Sequence, residues 1–195
     1  MTIDRLSAAL SGNEWLATAR ARVAAEPSAV GVLLPAAGRN CGRTTLDGVP
    51  GWRCDDAARV LLLAALSLRG TALAAEVSAI YRHGDADEKR AVLLALRWLE
   101  VRTGCIDLLR DALRTNDARL VAAAMGPYAR HLDDPAWRDG VLKCVFMGVP
   151  LAVVDHLIER ADPELARMLG AFAEEQRAAG RAMPADAVAL LDRLT

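Results

Sequence analysis

What most constrains this chain is its punctuation. Segments rich in Ala, Leu and Val run for about 10 to 16 residues before a glycine, a proline or an acidic cap stops them. Asp85 with Glu88 three residues later reads as a capping-box start. Asp134-Pro135 and Asp162-Pro163 each read as an N-cap acid before a first-turn proline. Gly84 reads as a C-cap. Short helices on short turns must pack against their neighbours antiparallel. No stretch alternates apolar and polar residues with β-branched enrichment, so no strand is expected.

The expected class is therefore all-α, with about ten helices in an irregular HEAT- or armadillo-like array of antiparallel hairpins. "GDADEKRAVLLALRWL", from Gly84, has the look of one such repeat. "CDDAARVLLLAALSL", from Cys54, is apolar nearly all round and should be a central, buried helix. A helix over Asn13 to Ala25 and a short helical piece opened by Pro27 precede it. Residues 38–51, "GRNCGRTTLDGVPG", lack an apolar period and read as the longest loop. At 195 residues the chain suits one sizeable core, so 1–195 is expected to be a single domain.

Composition excludes more than it identifies. The formal net charge is -1, with signs mixed along most segments, so no nucleic-acid partner is expected. The most apolar run, Val60 to Leu68, is too short to span a bilayer, and the start of the chain lacks a basic and then hydrophobic leader. A cytoplasmic location is expected. Cys41, Cys54, Cys105 and Cys144 are scattered and read as free thiols, and no His, Cys or carboxylate spacing suggests a metal. No GxGxxG, Walker loop, GxSxG or HExxH occurs, so no cofactor is expected.

Polar residues on apolar segments are then the candidates. Asp55 and Arg59 share a helix face at i, i+4. Arg114 and Asn116 stand at a helix junction, with Asn116 a possible N-cap; Gly126-Pro127 breaks the next helix and Tyr128 follows. Lys143 is embedded in "GVLKCVFMG", where it can snorkel, pair with an acid or serve as a pocket cation. Glu175 and Arg181 lie on the late segment "PELARMLGAFAEEQRAAGRAMP", which reads either as a solvated charged face or, if this helix covers a cavity, as the place from which both reach it.

Local motifs add a resemblance. Trp52, Asp55, Ala58, Arg59 and the leucines Leu61 to Leu63 match the pattern of the EboA family, as do Tyr81, Gly84 and Asp85. Arg114-Thr115-Asn116, Pro127-Tyr128, Val141-Leu142-Lys143 with Phe146, "LARML" from Leu165 and "AAGR" from Ala178 are also similar to it. Gly126 stands where the family has asparagine. The resemblance spans about Trp52 to Pro184 and implies a helical protein that handles intermediates of bacterial secondary metabolism.

Three functions are compatible with these readings. The first is a carrier that holds a small apolar or aromatic intermediate through Asp55, Arg59, Arg114, Asn116, Tyr128, Lys143 and Arg181. The second is a cofactor-free enzyme catalysing condensation, cyclisation or isomerisation, with Lys143, Asp55 or Glu175 as acid or base and Tyr128 as hydrogen-bond donor. The third is a HEAT-like adaptor for other proteins of the same biosynthetic operon.

Overall fold

The computed structural model describes Met1–Thr195 and is all-α: twelve α-helices, four 3₁₀ segments and one isolated bridge between Thr45 and Arg53. None of the helices is long and apolar enough to cross a membrane. The chain falls into two compact units, Met1–Leu108 and Leu109–Thr195.

The first unit holds α1 (Ile3–Ala9), α2 (Glu14–Ala25), α3 (Val30–Cys41), α4 (Cys54–Ala64), α5 (Gly70–His83) and α6 (Ala86–Ala95). α4 is its centre and packs on α1, α2, α3 and α6. Every residue from Asp55 to Leu63 is buried, as expected for a segment apolar on nearly all sides. Removing each leucine side chain of this helix from water contributes roughly 1.5–3 kcal/mol. The buried residues of this unit also include Leu6, Leu16, Val23, Leu34, Val77, Tyr81 and Val92.

α2 starts where Asn13 accepts from the Leu16 amide at 2.8 Å. Pro27 opens a 3₁₀ turn over Pro27–Ala29. The expected 38–51 loop is shorter at its start, because α3 continues through Gly38 to Cys41 and ends at Gly42 with φ +78°. Gly38 and Pro35 lower helix propensity, but Val30, Leu34 and Ala37 keep an apolar face on the core, and packing prevails. The loop that follows is pinned by Leu46 N–H to Trp52 O at 2.8 Å and Cys54 N–H to Thr44 O at 3.0 Å.

At α6 the capping box forms in both directions. Asp85 Oδ1 accepts from the Glu88 amide and Glu88 Oε2 from the Asp85 amide, each at 2.9 Å.

α7 (Ile106–Arg114) carries the boundary between the units, and the second contains α8 (Ala118–Ala124), α9 (Asp134–Met147), α10 (Leu157–Arg160), α11 (Pro163–Ala178) and α12 (Ala185–Leu194). Its core comprises Leu109, Val121, Met125, Trp137, Val141, Val145, Leu165, Leu169 and Leu190. α9 is capped one residue earlier than expected: Asp133 Oδ1 accepts from the Ala136 amide at 2.9 Å, so Asp134 is the first helical residue. Pro135 still falls in the first turn, where its missing N–H is not needed. α11 starts as expected, with Asp162 accepting from the Leu165 amide at 2.9 Å.

Two further boundaries differ from the sequence expectation. Asn116 does not cap α8; Asp117 does, through the Arg119 amide at 2.9 Å, and Asn116 is freed for another contact. α11 stops at Ala178, and the Arg181 amide turns back to Gln176 O at 2.8 Å, so Arg181 does not continue the helical face of Glu175.

Candidate functional site

In the first unit the polar residues gather at the start of α4. Asp55 is 0% exposed and Arg59 1%, and Arg59 Nη1 donates to Asp55 Oδ2 at 2.8 Å. Helical spacing sets this pair, and burial in a low-dielectric core demands it. Arg53, just ahead of the helix, adds a second cation, with Nη2 donating to the same oxygen at 3.2 Å and Nε 3.1 Å from Oδ1. Neither Asp55 Oδ1 nor Arg59 Nε has a well-directed hydrogen bond, although both are buried.

Asp56, next in the chain, is equally buried and paired with Arg90 of α6. Burial pushes its carboxyl up from the ordinary range, and Arg90 opposes that rise. Cys41, at the end of α3, is pushed up to about 11, first by burial and then by Cys54 and Asp55. It is therefore a protonated thiol at neutral pH and a poor nucleophile. Trp52 and Trp98 pack with their ring centroids 5.9 Å apart and their planes tilted by 46°, with the Arg97 guanidinium 4.8 Å from the Trp98 ring.

In the second unit, Asn116 and Lys143, 27 residues apart in sequence, come together: Lys143 Nζ donates to Asn116 Oδ1 at 3.2 Å and lies 6.0 Å from the Phe146 ring. The lysine is half-buried, so the outcome is a snorkelling side chain with a neutral partner. Arg114 is exposed at the end of α7 and Arg181 is exposed beyond α11. Tyr128 is buried in the 3₁₀ turn Pro127–His131, its ring edge-on to His131 at 4.8 Å. Arg160 binds that turn, donating to Ala129 O at 3.1 Å, Leu132 O at 3.0 Å and Asp134 Oδ1 at 2.8 Å, and lies over the Trp137 ring. Tyr128 thus belongs to a packed junction.

Glu175 is placed differently. It lies on the rim of an open groove of about 260 Å³ between α9 and α11, whose apolar lining is Leu142, Met168, Ala171 and Phe172. Arg167 stands on the rim too, held by Glu164 at 2.7 and 2.9 Å. Leu142 directly precedes Lys143. No group of three or more His, Cys, Asp or Glu side chains is arranged to hold a metal ion.

Of the residues singled out in sequence, Asp55 with Arg59 and Asn116 with Lys143 form contacting pairs. Arg53, Asp56 and Arg90 were missed. Asp56 and Arg90 are 34 residues apart, and no local spacing announces their contact. Arg53 and Asp56 stand on either side of Asp55, and three charges within four residues at the entry of an apolar helix were the available signal.

A family model described as metabolite traffic protein EboA matches residues 44–192. That span takes in all of α4 and the whole second unit up to the last turn of α12. No curated protein matches the chain, and no solved structure does.

Proposed function

Given that the chain belongs to the EboA family, we propose that it handles a biosynthetic intermediate in the cytoplasm, holding a small and largely apolar molecule without turning it over. The family description supports the general role in metabolite traffic. The observation that carries the finer reading is the α9–α11 groove, with an apolar floor of Leu142, Met168, Ala171 and Phe172 and a carboxylate, Glu175, on its rim. Small-molecule sites are mostly apolar, with a few polar groups that set orientation. Glu175 accepts from a hydroxyl or amine of the ligand, and the floor covers its hydrocarbon part. A volume of about 260 Å³ lies below the usual range of ligand pockets, about 300–1,000 Å³, so the ligand it takes is small.

The test is native mass spectrometry of the protein purified from its producing cells and then incubated with extracts of those cells. A bound small molecule released unchanged is expected, and Phe172→Ser is expected to lose it while keeping its helical circular dichroism. Release of a converted mass would make the protein an enzyme. Protein that stays empty in every extract would end the carrier reading.

A second reading, the HEAT-like adaptor, is favoured by one observation: Phe146 is 69% exposed on α9. On this reading the hairpins stack as repeats, and another protein of the same operon covers that ring. Phe146→Ser would then abolish co-purification of the partner and leave small-molecule retention intact.

A further inference from the structure

We propose that the α9–α11 groove selects a small ligand carrying a protonated amine at one end of an apolar body. This deepens, and rests on, the reading of that groove as the ligand site. Arg167, Met168, Ala171, Phe172 and Glu175 line it from α11, and Leu142 of α9 completes the lining. The spacing of the five, i, i+1, i+4, i+5 and i+8, is that of one stripe along a single helix. The stripe runs from an arginine, over an apolar floor, to a carboxylate, and its two charged ends stand about 12 Å apart along the helix axis.

The two ends are not equivalent. Arg167 is already matched: Nη2 donates to Glu164 Oε1 at 2.7 Å and Nε to Oε2 at 2.9 Å, a fork-to-fork pair within one turn of α11. Glu175 is exposed, and its carboxylate takes part in no ion pair or hydrogen bond within the protein. Lys143, beside Leu142 in sequence, gives its ammonium to Asn116. The lining residues together with Glu164 thus carry two carboxylates against one guanidinium, an excess of one negative charge.

That excess decides which end group is preferred. A ligand carboxylate has to displace Glu164 from Arg167, and it adds a second negative charge to the groove that holds Glu175. A neutral hydroxyl finds an acceptor in Glu175 but leaves its charge unbalanced. An ammonium meets the unpaired carboxylate directly, at the end of the groove remote from the Arg167 guanidinium. Phe172 precedes Glu175 by three residues, about 4.5 Å along the helix, so an amine on a short arm reaches the carboxylate while its body covers Phe172 and Met168. Met168 is unbranched and adapts to the shape of that body. The volume of about 260 Å³ keeps the body small.

Three probes that share one body and differ only in the end group test the selection: phenethylamine, phenethyl alcohol and hydrocinnamate. NMR of the methionine methyl groups of the full chain, at neutral pH and low ionic strength, reads binding at the groove through Met168, with buried Met125 of the same unit as internal reference. The Met168 signal is expected to move saturably with the amine and the alcohol, the amine binding about two- to fivefold tighter and hydrocinnamate weakest. Glu175→Gln, at an exposed position, should bring the amine down to the affinity of the alcohol. Glu159→Gln, which removes the same charge from an exposed position outside the lining, should leave the amine's advantage in place. An alcohol that binds as tightly as the amine, or a tighter hydrocinnamate, would overturn the proposal and leave the groove as the ligand site. So would an amine advantage that survives Glu175→Gln, or one that Glu159→Gln removes equally. A Met168 signal unmoved by every probe at about 10 mM would end both the proposal and the groove reading beneath it.

Discussion

At the scale of single residues, Asp55 and Asp56 are adjacent, both buried, and unlike in what they do. Asp55 serves two arginines, and Arg59 has no other carboxylate bonded to it. Asp55→Asn leaves Arg59 in the core without its counter-charge, and a loss of about 3–5 kcal/mol is expected in urea unfolding at neutral pH. Asp56 holds its proton more tightly in the folded protein than in the unfolded chain, because burial outweighs Arg90. Its ionised form therefore weighs against folding at neutral pH, and stability is regained as pH falls through the raised folded value. Asp56→Asn should cost clearly less than Asp55→Asn and should remove that gain on acidification. The i, i+4 spacing made the Asp55–Arg59 pair legible in the sequence. Nothing local connects Asp56 to Arg90 or Asn116 to Lys143, since those contacts exist only once separate helices have packed.

At the scale of elements, the start signals were read more accurately than the stops. The capping box at α6 was legible because both halves of the motif lie three residues apart in one stretch. Asp85→Ala should cost about 1 kcal/mol, read as a lower unfolding midpoint with an unchanged denaturant slope. The slip at α9 came from two adjacent aspartates, Asp133 and Asp134, either of which could cap; only the backbone path decided between them. α3 outran its expected end because its apolar face is supplied with a partner by α4, which no local signal contains. Close approach between elements was equally invisible. Gly140 of α9 faces buried Met125 and Leu113, and a methyl there would run into the Met125 thioether. Gly140→Ala should destabilise by about 1–3 kcal/mol despite its better helix propensity, and a thermal melt checks the sign.

At the scale of the whole molecule, the titrating groups are unevenly shared. In the second unit Asp117, Asp162 and Glu164 are held below their ordinary range mainly by Arg119, Arg138 and Arg167, and Asp133 by the Ala136 amide. His131 is lowered from 6.5 by burial and by Arg130. Groups whose folded values are depressed stabilise above the unfolded value and lose that contribution as pH falls through the folded one. The second unit should therefore weaken in two stages, below about 6.5 through His131 and below about 4 through the carboxylates. His131→Gln should flatten the first stage in a series of unfolding midpoints between pH 7 and 5, and no flattening would refute the assignment. Trp137 is the one tryptophan of this unit, since Trp15, Trp52 and Trp98 belong to the other, and its indole N–H is buried without a partner. Cut off from mobile water, its excited state cannot relax as an exposed indole does, so it should emit at the blue end of the tryptophan range. Replacing the other three by Phe would leave a chain whose colour of emission reports the opening of one unit alone.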